Sequence, residues 1–237
     1  MIFGKNYLFI HTPKTGGMSV SRWLLNNADG PLNVCTPASS FDHTRTSIEF
    51  DDVEPRLTLI DGKRHEVVSE AADVLEAQGI DPETIPLVFS VTRDPVQLLL
   101  SYYKHVRKPW VVKFRHGADG KLTGDTLLAS EGNFSEFARN CQFYNKSADF
   151  MRDYYVDNSG RIKKVHYVPL EFLNEFLTER FRNHKRCGRF PMQVRNKSAE
   201  SFPESEIDKD TEDFIYDRYA FLHEIHEKAK QRYMKDA

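Results

Sequence analysis

The stretch YLFIHTPKTGGMSV, Tyr7 to Val20, changes character twice. Tyr7-Leu8-Phe9-Ile10 is an unbroken apolar run, the pattern of a strand buried on both faces of a parallel sheet. The chain then breaks at Pro13, offers Lys14, Thr15 and the pair Gly16-Gly17, and enters a helical pattern through Ser19. That helix would bury Val20, Trp23 and Leu24, which recur at helical spacing. A strand, a glycine turn and a helix start together predict an anion site. Glycines let backbone N–H groups approach an oxyanion, the helix start adds the positive end of its dipole, and Lys14 adds a full charge. The plain alternative is a strand-to-helix turn that happens to carry a lysine, so a second motif is needed.

The order of residues narrows the ligand. The loop common to ATP and GTP enzymes is GxxxxGK[ST], with lysine after the last glycine; here Lys14 precedes Gly16-Gly17. The stretch instead resembles the 5′-phosphosulfate loop of sulfotransferases, in the PKTGGTS form of the heparan-sulfate and related carbohydrate sulfotransferases. Pro13, Lys14, Thr15, Gly16, Gly17 and Ser19 match it, and Met18 stands where that family usually has threonine. The resemblance implies that the matching residues bind 3′-phosphoadenosine 5′-phosphosulfate (PAPS). It also implies that Lys14 neutralises the leaving phosphate oxygen.

The second motif is LVFSVTRDPVQLLLSYY, Leu87 to Tyr103. Leu87 to Val91 reads as a buried strand, Asp94 as an N-cap and Pro95 as the first helical residue. Arg93 at a strand end and Ser101 on the following helix can converge on one phosphate, with arginine suited to a bidentate grip. This resembles the family's 3′-phosphate motif, RDPxxRxxSxY in outline, in Arg93, Asp94, Pro95, Ser101 and Tyr103; Leu98 replaces the inner arginine. A late Arg195-Asn196-Lys197-Ser198 resembles the element that closes over the same phosphate in relatives, which makes Lys197 and Ser198 cofactor-binding candidates.

Between the two motifs lies a strand, Arg56 to Ile60, followed by Asp61-Gly62-Lys63-Arg64-His65. Two readings compete. Asp61 imitates the magnesium-holding carboxylate of an NTPase; alternatively the strand delivers His65 to the carboxyl edge of the sheet, where ligands of open α/β sheets bind. An acceptor hydroxyl attacking sulfur must lose its proton, and histidine titrates nearest neutral pH. His65 resembles the family's base, with Glu66 as the fallback; the bland reading is a histidine capping the next helix.

Composition bounds these readings. A chain of 237 residues with 17 Phe and 10 Tyr suits one α/β domain over 1–237. A net charge of −2 argues against bulk attraction to duplex nucleic acid or anionic membrane, so any anion binding must come from local basic clusters, and no apolar run is long enough to span a membrane. Three scattered cysteines with no CxxC pair fit a reducing compartment. With the first strand so near Met1, the expectation is a cytoplasmic protein, unlike the anchored Golgi relatives and closer to a soluble, bacterial-like member.

The remainder reads in segments. Asn26 to Pro55 is expected to be loop with at most short elements, Glu66 to Gly79 a helix, and Lys104 to Arg115 a helix end stopped by Pro109. In that last segment Trp110 and Phe114 either tuck onto the core or form an acceptor-facing rim. His116 to Gly132 is expected to be a loop, Phe134 to Tyr155 largely helical, Arg161 to Val168 a strand with a structural His166, and Glu171 to Phe181 a helix. Ile207 onward is expected to be helical, with His223 and His226 on an exposed face and no metal site. The basic run Arg180 to Arg189 has the pattern of a solvated face with a modest steering role.

The expected fold is α/β, a P-loop-type short parallel sheet flanked by helices on both sides. The expected function is transfer of a sulfonate from PAPS to an acceptor hydroxyl on a carbohydrate, in line, with a histidine base. The runner-up is a P-loop kinase, and a third class is a nucleotide-binding protein without transfer activity.

Overall fold

A short antiparallel pair starts the chain: β1 (Ile2–Phe3) turns at Gly4 into β2 (Tyr7–Ile10), and all four side chains of β2 are buried. The computed structural model describes residues 1–116, 120–144, 147–193 and 207–236. The other strands are β3 (Leu32–Thr36), β4 (Leu57–Asp61), β5 (Leu87–Thr92) and β6 (His166–Pro169). The helices are α1 (Gly17–Asn27), α2 (Phe41–Arg45), α3 (Val68–Ala77), α4 (Pro95–Val106), α5 (Pro109–Lys113), α6 (Gly124–Glu131), α7 (Phe134–Asn140), α8 (Leu173–Arg180), α9 (Lys209–Arg218) and α10 (Ala220–Asp236). The fold is α/β, with a six-stranded, mostly parallel sheet flanked by helices.

By contact the chain divides into two units, Met1–Thr92 with Asp153–Arg195 and Lys228–Ala237, and Arg93–Arg152 with Asn196–Glu227. The first holds the whole sheet, in the order β4-β3-β1-β2-β5-β6. Every neighbouring pair is parallel except the two that involve β1. Phe9 stacks on Phe89, which meets Phe176 at a tilt, with ring centroids 5.1 Å apart at each step, and the three anchor a core that takes in Trp23, Leu24 and Leu177. The second unit is helical among the described residues. Its buried Tyr102 donates to Asp125 at 2.7 Å, while Arg218 donates to the carbonyls of Ala138 and Cys141 and closes the end of α7.

Asn26 to Pro55 holds only short elements, as expected: β3 and α2, of which Leu32–Thr36, framed by Gly30-Pro31 and Pro37, pairs with β1 on one edge and β4 on the other. Pairing on both edges supplies the ladder that local sequence did not announce. Several other expected segments fall elsewhere. The strand expected from Arg161 begins only at His166. Asp157 accepts from Ile162 N at 2.8 Å and Arg161 pairs with Asp73 and Glu76, so this part is a turn. His116 to Gly132 holds α6, Phe134 to Tyr155 is helical only in α7 and a 3₁₀ turn at Asp149–Tyr154, and Pro109 starts α5 instead of only ending α4. The C-terminal part is helical as expected, in two helices that meet at Tyr219. On α10 His226 is buried with Leu222 and Ile225, not on an exposed face. Among the described residues no helix is long and apolar enough to cross a membrane.

Candidate functional site

The turn predicted after the first strand sits where the sheet changes direction. From β2 the chain leaves through α1 to β3 on one side, while β5 lies on the other. In open α/β sheets a ligand crevice forms beyond the carboxyl ends of the strands at such a reversal. The loop from His11 to Gly16 occupies that position. Lys14 has φ 65 and Gly16 φ 83, two residues in the left-handed region within one turn. A lysine there is held against its local preference, which the surrounding contacts must impose. Thr15 is buried and gives its hydroxyl proton to the Thr12 carbonyl at 2.9 Å. Its side chain therefore shapes the loop from within, and its backbone N–H is what it can offer a ligand. Thr12 in turn shares a 2.8 Å hydrogen bond with Ser90 on β5, which fixes the loop to the neighbouring strand.

Gly16 is the N-cap of α1 and its carbonyl accepts from Ser19 at 2.9 Å and Val20 at 3.2 Å. The N–H groups of Gly17 and Met18 are thus left at the positive end of the helix. Gly17 is required by close approach: a Cβ there would lie 1.9 Å from His11 Cδ2 and 2.1 Å from its Nε2. At Gly16 an added Cβ would meet Leu170 Cδ1 at 2.8 Å on a backbone that already demands glycine.

His65 reaches this loop from the far side of the sheet. Its strand, β4, is the edge, with β3 and β1 between it and β2. The segment after β4 nonetheless brings the His65 ring edge-on to His11, with centroids 4.4 Å apart, and Nδ1 lies 2.7 Å from the His11 carbonyl. A carbonyl only accepts, so Nδ1 carries the proton and Nε2 of the neutral ring is left as the base. Burial is the main force depressing His65 to about 4, with the N-terminal ammonium, Arg64 and Lys14 adding to it against the hydrogen bond to His11. His11 is held well below its ordinary value, first by burial and then by the proximity of the His65 ring, whose protonation would oppose its own. Both rings are therefore neutral at pH 7.

The other residues of this segment have defined posts. Glu66, the fallback base, is buried and its Oε2 accepts from Met1 N at 3.0 Å. Arg64 Nη1 lies 3.9 Å from the sulfur of Met18, so a guanidinium stands against the loop position at which the sulfotransferase pattern has a hydroxyl. Asp61 ends the edge strand and its carboxylate accepts from Ala38 N at 2.9 Å, a turn-capping role.

Thr92, at the end of β5, shares the edge of the sheet to which Ile10 leads, since β2 and β5 run parallel. Arg93 and Ser101 belong to the second unit, both half-buried, with Ser101 in the middle of α4. Asp94 caps α4 as expected, accepting from Gln97 N at 3.0 Å, and a second hydrogen bond from Tyr216, also 3.0 Å, fixes the capping carboxylate. Leu98, where the motif that this stretch resembles has an inner arginine, is buried. Lys197 and Ser198 lie outside the described residues, as do Arg195 and Asn196.

Sequence reading missed His11 and Arg64. The available signal for His11 was a polar, titratable residue placed directly after a buried strand, at the sheet edge where ligands bind; its partner lies too far along the chain for spacing to reveal. Elsewhere, His166 is structural as expected, with Nε2 2.8 Å from the Tyr233 hydroxyl and its ring stacked on Phe176. Among the described residues no group of three His, Cys, Asp or Glu could hold a metal. No family model matches the chain, and no curated protein matches it.

Two outcomes test this geometry. Gly17→Ala must displace the His11 ring and should destabilise the protein by about 1–3 kcal/mol in urea unfolding, with the His11 and His65 ring resonances shifted. The acid limb of stability should carry the His65 signature. Its folded pKa, about 4, lies below the unfolded value of 6.5, so the contribution is complete above about pH 6.5 and is lost as pH falls toward 4. The loss is about 3 kcal/mol. Unfolding measured from pH 7.5 to 4 in wild type and His65→Asn should show the smaller slope in the variant.

Proposed function

We propose that the chain is a PAPS-dependent sulfotransferase of P-loop type, transferring a sulfonate to an acceptor hydroxyl on a carbohydrate. The observation that carries the reading is a histidine with a free Nε2 next to a lysine–glycine turn at the head of a buried strand. The order of that turn, with lysine before the glycines, and the separate Arg93–Ser101 motif support a ligand with a second phosphate over a simple nucleoside triphosphate. Asp61 favours the same choice, since its carboxylate caps a turn on the edge strand.

In this reading the protein supplies position and charge, as in phosphoryl transfer, and little covalent chemistry. His65 Nε2 takes the acceptor proton as the acceptor oxygen bonds to sulfur and the bond from sulfur to the phosphate oxygen breaks. Lys14 and the N-terminus of α1 hold the negative charge that grows on that oxygen, with Pro13, Thr15, Gly16, Gly17 and Ser19 shaping the turn. Arg64 supplies a donor where Met18 offers none. Arg93 and Ser101, with Lys197 and Ser198, hold the 3′-phosphate. PAPS brings the activated sulfonate.

A base with a pKa of about 4 is neutral but weak. Lys14 and Arg64 contribute to that depression, so an anion in the turn offsets their charge and lifts His65 toward the range in which general bases work. The pKa of His65, followed by its ring resonances, should therefore rise on binding adenosine 3′,5′-bisphosphate; no rise would sink its assignment as the base. Calorimetric titration addresses the cofactor itself. The bisphosphate should bind without metal and lose most of its affinity in Arg93→Ala, a charged contact of about 2–3 kcal/mol. Tighter binding of ATP with magnesium, unchanged in Arg93→Ala, would make the protein a kinase instead.

A further inference from the structure

The segment KHVRKPWVVKFRH, Lys104 to His116, is used by none of the chemistry above. It carries five cations, Lys104, Arg107, Lys108, Lys113 and Arg115, and lies in a run with no acidic residue from Pro95 to Ala118. The whole chain, by contrast, has 33 Lys and Arg against 35 Asp and Glu. Between Lys104 and His116 there is also no Asn, Gln, Ser or Thr. Its side chains are therefore either cationic or aromatic and aliphatic.

The fold turns this composition into a surface. α4 ends at Val106, Lys108 is extended, and Pro109 starts the single turn α5. Val106 and Val111 point inward and are buried, which anchors the turn. Trp110 and Phe114, four residues apart and so on one face, point outward with 58% and 78% exposure. They are two of the three large hydrophobic side chains exposed among the described residues. Lys113, Arg115 and His116 beside them are exposed. So is Arg107, whose guanidinium lies over the Tyr103 ring at 5.0 Å. The result is an aromatic pair with a cationic rim.

Three kinds of partner could meet such a surface, and its composition separates them. A neutral sugar needs side-chain amides or carboxylates to hold its hydroxyls, and the segment has none. A soluble polyanion uses the cations but leaves two protruding aromatic rings in water. The headgroup region of an anionic bilayer uses both: aromatic rings settle at the acyl boundary while Lys and Arg meet the lipid phosphates. We propose that α5 and its flanks dock the protein on anionic membrane surfaces, peripherally, with Trp110 and Phe114 inserted at the interface.

The chain has two tryptophans, and Trp23 is buried at 3% exposure, so a change in emission on docking reports Trp110. Full-length protein should cosediment with phosphatidylcholine vesicles that contain phosphatidylserine and not with phosphatidylcholine alone, and its emission should shift to the blue. Lys113→Glu with Arg115→Glu should lower partitioning about tenfold or more. Trp110→Ala with Phe114→Ala should lower it as well and abolish the shift. All four positions are exposed, so the fold should survive both changes. Equal partitioning into the two vesicle types, or loss in neither variant, would overturn the proposal. So would binding to dextran sulfate with equal affinity, no emission shift and no dependence on the aromatic pair, which would make the patch a polyanion surface.

Discussion

Everything at the candidate site depends on β2 being a buried strand from which the sheet grows in two directions. Its four apolar residues pair in parallel with β5 on one edge and meet the short, inverted β1 on the other. Since the next strand in the chain falls on one side and β5 on the other, no crossover helix covers the ground just beyond Ile10. The loop from His11 to Gly16 fills it. Hydrogen bonds from Thr15 to Thr12 and between Thr12 and Ser90 then hold that loop in a backbone conformation a lysine would not choose. Strain of this kind persists where neighbours impose it, and it keeps the Lys14 backbone in one arrangement.

The second constraint is electrical. Two imidazoles lie with centroids 4.4 Å apart in a region short of water and near Lys14 and Arg64. Charging either ring would add a cation to an already positive place, so both remain neutral, and the hydrogen bond from His65 Nδ1 to the His11 carbonyl selects the tautomer. Under the proposed function, this positive setting with neutral rings would favour an anion, and the charge that depresses His65 in the free protein would be offset by the ligand it attracts.

In the second unit, order is local and polar. Asp94 caps α4 and is itself held by Tyr216; Asp125 accepts from Tyr102 and from Gln142 N; Arg218 closes the end of α7. These contacts fix the start of α4, hence the backbone that follows Arg93, and they leave α5 as a single turn anchored by Val111. That anchorage explains how Trp110 and Phe114 can be so exposed while the turn keeps its shape. The alternative of tucking both rings onto the core was open in the sequence and is not what the chain adopts.

Local chemistry made much of the fold legible. Four consecutive apolar residues marked β2, Asp94-Pro95 marked the start of α4, and the spacing of Val68, Ala71 and Leu75 marked α3. Each signal lies within one or two turns of chain. β3 was hidden because five residues framed by Gly and Pro show no period; only its pairing with β1 and β4 makes it a strand. The strand read from Arg161 begins only at His166, because the Arg161 side chain is committed to Asp73 and Glu76. The Lys14–Gly17 turn could be read for the same reason as α4, since glycine and lysine chemistry acts over a few bonds. The meeting of His65 with His11 could not. It is separated by most of a sheet in space and by more than fifty residues in sequence, and only the packed order of the strands, with an edge strand sending its loop back over the centre, brings the two rings together.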